Sequence, residues 1–205
     1  MAEYGSWPSI QRYGLLSTGA LLDLFEVTDA ARNAVVRCRR TTSVVLNHPD
    51  RGTAVVRDQL PLSEDLLARC LTDMTLAEWL AVLNSRVFFW LTRENLTKLL
   101  CARAYRDREH DVLVVDTARL VSSYGDKITL SPINSGSTLY NPQPRGSQTF
   151  LPIQSYPFDE RRKRRGLSNA VIELAVDRGV AAIDEMTLRV EEWRCDQFLR
   201  VIWEP

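Results

Sequence analysis

The stretch that decides the fold reads Asn169-Ala-Val-Ile-Glu-Leu-Ala-Val176, an apolar run that contains one acid, Glu173. Short apolar runs rich in β-branched side chains are typical of buried strands. An acid in such a strand is most often a solvent-facing or salt-bridged residue. The alternative is a functional carboxylate at a cleft, which could orient a sugar hydroxyl and stabilise a positively charged sugar carbon. Apolar residues flank Glu173 on both sides, so the alternation of polar and apolar positions does not decide between the two.

The rest of the chain places this strand in an α+β fold. Helix-like periodicity and capping signals mix with short strands in the first half, and strand-like runs dominate the second half. The later strands lack intervening crossover helices, which argues against a regular doubly wound sheet. We therefore expect one domain over residues 1–205, with helices packed on a bent, mostly antiparallel sheet.

Four segments carry specific structural expectations. Arg86-Val-Phe-Phe-Trp-Leu91 is the most strand-like run, and Thr75 with Glu78 forms a capping box at the start of a helix. Asn134 to Ser147 is rich in Gly, Pro, Ser and Asn, which predicts an irregular loop. Gln154 to Ser168 is expected to form a second long loop, which leads into the strand that contains the acid.

The composition of the chain argues against several classes of function but does not indicate a particular one. The chain has 26 basic and 26 acidic residues, so no global charge indicates a nucleic-acid or membrane partner. Its four cysteines, at positions 38, 70, 101 and 195, lack metal-type spacing. We expect them to be small buried side chains in a reducing compartment. No run is apolar enough to cross a bilayer and no targeting signal opens the chain, so a cytoplasmic protein without a membrane partner is expected.

Metal and histidine chemistry are not expected. His48 and His110, the two histidines, have no ligand-type residues near them in the sequence, so we expect no metal site and no histidine-based nucleophilic triad. No glycine-rich phosphate-binding loop of either common type is present. If the protein has a catalytic group, a carboxylate such as Glu173 is the main candidate.

One segment concentrates positive charge. The basic run, as we call it, consists of Arg161, Arg162, Lys163, Arg164 and Arg165. Such a run is either a solvated surface or an attraction for phosphate, in a nucleic acid or in an anionic cofactor. It lies close in sequence to Glu173, which favours the functional interpretation.

Aromatic and arginine side chains near the predicted strands are further candidates. Phe88 and Phe89 are either core residues or a platform for a planar base or nicotinamide ring. Arg57 and Arg86 flank strands and either form surface ion pairs or grip a pyrophosphate with paired hydrogen bonds.

Several short pieces of the sequence together resemble the ADP-ribosyltransferase fold. They are Trp7-Pro-Ser-Ile10 followed by Gly14-Leu-Leu-Ser-Thr18, then Arg86-Val-Phe-Phe-Trp90, and then Ala170-Val-Ile-Glu173. Within that fold the chain looks like the DarT-like group of DNA ADP-ribosyltransferases. It is also similar to a related, uncharacterised bacterial domain family, whose motifs match Asn134-Ser-Gly136 and Arg145-Gly-Ser-Gln-Thr-Phe150.

The resemblance implies a split, bent β-core that holds NAD in a cleft, and an NAD-dependent ADP-ribosyltransferase activity. Glu173 matches the catalytic glutamate, and residues 154–168 match the loop that recognises the acceptor. The basic run would then face a nucleic acid. A bacterial toxin or defence-type effector, with a neutralising antitoxin protein as its partner, is also implied. The implied NAD contacts are Ser17, Thr18, Arg57, Phe88, Phe89 and Asn134.

The start of the chain departs from that pattern. The first strand of the fold usually brings an NAD-binding histidine or arginine just before the Trp-x-x-Ile helix, and Met1 to Tyr4 contain neither. This departure favours a second hypothesis, a non-catalytic module on the same fold that binds nucleotides or nucleic acid. A third hypothesis is an NAD glycohydrolase, in which water takes the place of the acceptor.

Overall fold

A computed structural model describes the whole chain, residues 1–205, and shows short helices and short strands. The strands are β1 (Ala2–Glu3), β2 (Leu15–Leu16), β3 (Val44–His48), β4 (Gly52–Val56), β5 (Arg86–Trp90), β6 (Glu109–Val115), β7 (Ile128–Ser131), β8 (Leu151–Pro152), β9 (Glu173–Asp177), β10 (Gly179–Val180), β11 (Thr187–Arg194) and β12 (Gln197–Trp203). The helices are α1 (Trp7–Tyr13), α2 (Thr18–Leu24), α3 (Asp29–Arg37), α4 (Glu64–Cys70), α5 (Leu76–Asn84), α6 (Arg93–Leu100), α7 (Thr117–Tyr124), α8 (Phe158–Arg165) and α9 (Ile183–Met186). None of these helices has the length and apolar character needed to cross a bilayer.

Two four-stranded sheets form the β-core. Their strand orders are β5-β9-β7-β8 and β1-β6-β11-β12, and every neighbouring pair of strands is antiparallel. Two smaller antiparallel pairs, β10 with β2 and β3 with β4, complete the strand pairing. The expected α+β fold, with helices packed on antiparallel sheets, is confirmed.

Strand β9 lies at the centre of its sheet and is covered on both faces. Leu174 and Val176 point into the main hydrophobic core, together with Ile183 of α9. Ala175 points to the other face, where it packs against Trp79 of α5. Burial of one large aliphatic side chain stabilises a fold by about 1.5–3 kcal/mol, so these contacts fix the position of β9 firmly. The acid at its first position therefore stands on a rigid element.

The start of β9 differs from the expectation. The strand begins at Glu173 rather than at Asn169, because Leu167–Asn169 form a turn of 3-10 helix. Ala170 and Val171 follow this turn and are buried, but they lie outside the sheet. A buried irregular segment has the same apolar composition as a buried strand, so periodicity cannot separate them. As a result, the acid is the first residue of the strand, at its boundary with a loop.

The expected long loop over Gln154 to Ser168 is wrong, because Phe158–Arg165 forms α8. No residue of α8 is buried, so the apolar periodicity that usually reveals a helix is absent. Its acids lie in the first turn and its bases in the last, which suits the helix dipole. Glu160 also pairs with Arg164 one turn later, and Gly166 ends the helix with a φ of 77°. The basic run is therefore helical.

The cysteines also differ from the expectation of four small buried thiols. Cys101 and Cys195 form a disulfide that joins the end of α6 to the turn between β11 and β12. Cys38 is exposed and Cys70 is half-buried. The paired cysteines are 94 residues apart in sequence, and spacing alone does not reveal the pairing of distant cysteines.

Other local expectations are confirmed. The strand Arg86–Trp90 is present as β5. Thr75 and Glu78 form the capping box of α5, in which the Thr75 hydroxyl accepts from the Glu78 N–H and the Glu78 carboxylate accepts from the Thr75 N–H. Residues 134–147 contain no helix or strand. Helix α7 and the last strand, β12, were not expected.

Candidate active site

A cavity of about 440 Å³ is lined by residues of both four-stranded sheets. The residues that were expected to bind NAD or to act on it come from five separate segments of the chain, and all of them line this cavity. They are Ser17, Thr18, Arg57, Phe88, Phe89, Asn134 and Glu173. The fold thus brings the candidate cofactor-binding residues and the candidate catalytic acid to one place, whereas the basic run does not line the cavity.

Glu173 is buried in the wall of the cavity, with 4% of the residue exposed. In the sheet it stands between Trp90 of β5 and Ser131 of β7. Its Oε2 accepts a hydrogen bond from the backbone N–H of Ser135, at 3.1 Å. The carboxylate forms no salt bridge, unlike the buried acids Glu191 and Glu192, which both pair with arginine. The first alternative for Glu173, a solvent-facing or salt-bridged residue, is therefore excluded.

Burial raises the pKa of the Glu173 carboxyl to about 7, because a desolvated carboxylate is less stable than the neutral acid. Ser135 opposes this effect through its side chain and its N–H, and the positive charge of Arg145 also lowers the pKa of this carboxyl. The acid is therefore close to half ionised at neutral pH. A buried carboxyl in a cavity with a pKa near neutrality is typical of a functional group.

Ser135 is a site residue that the sequence reasoning did not select. It follows Asn134, lines the cavity and is almost completely buried. Its hydroxyl lies near enough to Glu173 to affect the pKa of the carboxyl, yet it has no hydrogen-bond partner of ordinary geometry. The hydroxyl and the N–H of Ser135 thus both favour the ionised form of Glu173. The motif Asn134-Ser-Gly136 was the only signal for Ser135 in the sequence.

The turn that holds Ser17 and Thr18 depends on close backbone contacts. Strand β2 pairs with β10, and the Ser17 N–H donates to the Arg178 carbonyl. A Cβ at Gly14 would lie 2.8 Å from the Ala181 Cα, and Gly14 has a φ of 87°, so only glycine fits there without strain. The Ser17 hydroxyl caps α2 by accepting from the Ala20 N–H at 3.2 Å.

Arg57 follows β4 and provides a cation in the same cavity, where it forms an ion pair with Glu3. Its guanidinium stacks over the Tyr105 ring, 4.8 Å from the centroid, and its Nε lies 3.4 Å from Glu3 Oε2. Although Nε and Nη2 are buried, neither has a hydrogen-bond partner. Burial lowers the pKa of Arg57. A buried guanidinium with free N–H groups is suited to bind a phosphate with paired hydrogen bonds.

The first strand, β1, is present and contributes an acid where the resemblance implied a base. Glu3 of β1 faces Arg57, and Met1 and Ala2 line the cavity. The cavity therefore contains a cation, Arg57, next to β1 and paired with its acid.

Phe88 and Phe89 belong to the core and to the cavity wall at once. They lie on opposite faces of β5, where Phe88 packs near Phe150 and Phe89 packs against the main core. Arg86 is held by its own structural contacts, because its Nη1 donates to the Val82 carbonyl at 2.7 Å. Of the two candidate phosphate-binding arginines, Arg57 has a buried Nη2 without a hydrogen-bond partner, whereas Arg86 uses its Nη1 to hold the end of α5.

Comparison with known protein families gives a match over residues 1–187 to a family described as a family of unknown function, DUF7002. The chain belongs to the DUF7002 family. No curated protein and no solved structure matches it.

The basic run of this DUF7002 chain lies on the surface beside the acid, outside the cavity. Arg165 of α8 donates to the Pro132 carbonyl at 2.9 Å, just before Asn134. The Tyr156 hydroxyl, at the other end of the helix, donates to the Ala170 carbonyl at 2.6 Å, just before β9. Helix α8 is thereby attached to both segments that lead into the Glu173 site. Four of the five cations are exposed to solvent.

Proposed function

We propose that this protein is an NAD-dependent ADP-ribosyltransferase in which Glu173 is the catalytic carboxylate. The observation that carries the proposal is the buried Glu173 carboxyl, which has a pKa of about 7 and no basic partner, in a cavity lined by the implied NAD contacts. Such an acid costs stability, and the cost is understandable if the carboxylate is needed to meet a ligand.

Glu173 in its ionised form would accept a hydrogen bond from a hydroxyl of the nicotinamide ribose. Its negative charge would stabilise the positive charge that develops on the sugar as nicotinamide leaves. Burial strengthens this interaction, because water screens charges weakly in a cavity of low dielectric constant. The Ser135 N–H fixes one carboxylate oxygen, which leaves the other oxygen for the sugar.

The other cavity residues would bind and orient NAD. Arg57 offers the N–H groups of Nη2, which have no hydrogen-bond partner, and these suit the negatively charged pyrophosphate. The ring of Phe89 or of Phe88, which lie on opposite faces of β5, would stack on the nicotinamide. Ser17, Thr18 and Asn134 supply polar groups for the ribose and the amide.

The acceptor that we propose is a nucleic acid, bound by the basic run on α8. The run provides mainly exposed cations next to the segments that lead into Glu173, and such clusters attract phosphate backbones. The role would be that of a bacterial toxin or defence-type effector, with a neutralising antitoxin protein as its partner. The compartment would be the cytoplasm, where NAD is available and where cellular thiols would reduce Cys101–Cys195.

A second candidate function is a non-catalytic nucleotide-binding module. Glu3 favours this second function, because this acid lies in β1, the strand in which the resemblance implies an NAD-binding base. NAD hydrolysis, with water as the acceptor, uses the same residues as the transferase.

Incubation with labelled NAD and a mixture of DNA, RNA and protein separates these functions. A transferase releases nicotinamide and transfers label to an acceptor, and we expect the label on nucleic acid. Release without transfer indicates a hydrolase, and calorimetric binding of NAD without release indicates a module.

The double variant Arg162→Gln/Lys163→Gln tests the role of the basic run. We expect it to weaken transfer to nucleic acid and to leave nicotinamide release unchanged, because neither residue lines the cavity. The matched control is Lys98→Gln/Arg106→Gln, which removes two exposed cations elsewhere. Equal effects of the two double variants on transfer would contradict the role of the basic run.

A further inference from the structure

The loop that carries Ser135 has no regular structure of its own to hold it in place. Residues 134–147 contain no helix or strand and are rich in Gly, Pro, Ser and Asn. Yet the Ser135 N–H has to stay 3.1 Å from the Glu173 carboxylate to be its hydrogen-bond donor. A contact outside the loop backbone must therefore fix this segment.

Arg145 provides such a contact for the part of the loop that contains Ser135, in addition to Thr138, which bonds to Pro61 and Ser63. The Nη1 of Arg145 donates to the Ser135 carbonyl at 2.9 Å and to the Ser137 carbonyl at 3.0 Å, and its Nε donates to the Gln143 carbonyl at 3.0 Å. The residue is 3% exposed. A guanidinium presents several N–H groups in a fixed plane, so one side chain can hold three carbonyls in a single arrangement. Ser135 is thereby held through its carbonyl by Arg145, while its N–H meets Glu173.

The backbone of Arg145 is itself anchored outside the site. Its N–H donates to the Cys70 carbonyl at 2.9 Å, and its carbonyl accepts from the Thr72 N–H at 3.0 Å. A Cβ at the next residue, Gly146, would lie 2.0 Å from Asp73 Oδ1, so the chain passes close to the side chain of Asp73. Arg145 therefore connects the segment between α4 and α5 to the loop beside the acid.

Arg145 also acts on Glu173 through its charge. It forms no salt bridge with the carboxylate, but its positive charge lowers the pKa of Glu173 against the effect of burial. The other residues that face Glu173 are uncharged: Trp90 and Ser131 flank it in the sheet, and the Ser135 N–H donates to its carboxylate. Arg145 is therefore the charged group that acts on Glu173 from a neighbouring segment.

We propose that Arg145 is a positioning residue of the Glu173 site, which holds the Ser135 N–H against the carboxylate and supplies the nearby positive charge. The proposal rests on the proposed function for its catalytic meaning. Its two parts, geometry and charge, can be separated, because lysine keeps the charge and loses the planar fork, whereas methionine loses both.

The test compares Arg145→Lys and Arg145→Met with the wild type in nicotinamide release from NAD across pH. For Arg145→Met we expect kcat/KM to fall about tenfold at pH 7 and to recover to within about threefold at pH 9, since the pKa of Glu173 rises. For Arg145→Lys we expect a pH profile close to that of the wild type and a kcat lowered at every pH. A purely structural residue would shift neither profile.

Arg200→Met is the control for lost stability. It removes an arginine that pairs with a buried acid in the other sheet, so it should destabilise the fold without changing the pH profile. If Arg145→Met does not fold, Arg145→Lys decides, and a wild-type kcat in that variant overturns the geometric part of the proposal. A pH profile of Arg145→Met that matches the wild type overturns the electrostatic part.

An NMR titration of the Glu173 carboxyl carbon, without NAD, separates this proposal from the proposed function. The signal is assigned by its loss in Glu173→Gln. A higher pKa in Arg145→Met than in the wild type supports the positioning role even if the wild type releases no nicotinamide. Absence of nicotinamide release by the wild type would refute the proposed transferase activity but not the positioning role of Arg145. An unchanged titration would refute the role of Arg145.

Discussion

Two buried acids of this protein have opposite surroundings. Glu173, at the start of β9, and Glu192, within β11, are 4% and 5% exposed. Glu192 Oε2 lies 2.6 Å from the Arg200 Nε, whereas Glu173 has a backbone N–H at 3.1 Å and no salt bridge. Burial of an acid alone therefore does not mark a functional site. Glu192 is matched by a base and belongs to the fold, whereas Glu173 has no such base and also lines the cavity, which makes it available to a ligand.

Sheet topology explains this difference. Glu192 directly faces Arg200 across the antiparallel pair β11–β12, where opposite charges attract one another. Glu173 faces Trp90 and Ser131, which carry no charge, and it stands at the strand end where the cavity begins. The same residue type thus has two roles because the neighbouring strands differ.

Replacing each acid by glutamine should change stability in opposite directions at alkaline pH. Burial raises the folded-state pKa of Glu173 to about 7 from an ordinary value of 4.5, so the folded protein binds this proton more tightly than the unfolded chain does. The resulting stability is fully present below pH 4.5 and is lost as the pH rises through 7. Glu173→Gln avoids this loss, so its stability relative to the wild type should increase by roughly 3 kcal/mol between acidic and alkaline pH.

Urea unfolding of the wild type, Glu173→Gln and Glu192→Gln at several pH values measures this effect. Glu192→Gln should lose stability, because it breaks a salt bridge to a buried acid. If Glu173→Gln shows the same pH dependence as the wild type, then Glu173 is not the buried, unpaired acid described above.

The ionised form of Glu173 should control the pH dependence of activity. With a pKa of about 7 in the free protein, kcat/KM for nicotinamide release should fall about tenfold for each pH unit below that value. At pH 5 the rate constant should therefore be about 100-fold below its plateau. A stopped assay with labelled NAD gives the profile. A profile that is flat from pH 5 to pH 8 would remove Glu173 from the rate-determining chemistry.

Arg57 and Arg200 extend the comparison from acids to bases. Arg57 has free N–H groups in the cavity, and Arg200 is bonded to Glu192. Arg57→Met should weaken NAD binding by roughly tenfold to a hundredfold, because hydrogen bonds to a charged phosphate are lost. Arg200→Met should reduce stability and leave the affinity unchanged. Calorimetric titration with NAD distinguishes them, and equal affinities of Arg57→Met and the wild type would exclude Arg57 from the site.

Local sequence signals predicted the elements that depend on nearby residues. The capping box of Thr75 and Glu78 and the strand Arg86–Trp90 follow from spacing alone. Helix α8 escaped prediction because none of its residues is buried, and the disulfide Cys101–Cys195 escaped because its partners are far apart in the chain.

The candidate site could be predicted only in part. Glu173, Arg57, Phe88 and Phe89 were candidates from the sequence pattern, and the resemblance added Ser17, Thr18 and Asn134. The structure brings these seven residues together at the cavity. Ser135 and Arg145 were not selected, because their importance depends on hydrogen bonds within an irregular loop. The sequence shows which residues are present in such a loop, but not which carbonyl a guanidinium holds.

Nicotinamide release from NAD by Glu173→Gln, beside Glu192→Gln and the wild type, tests the central claim most directly. The account predicts release by the wild type, a loss of about 1000-fold or more in Glu173→Gln with NAD binding largely retained, and a rate in Glu192→Gln within about threefold of the wild type. Undiminished release by Glu173→Gln would contradict the assignment of the catalytic acid. Absence of release by the wild type under conditions where NAD binds would contradict the transferase itself.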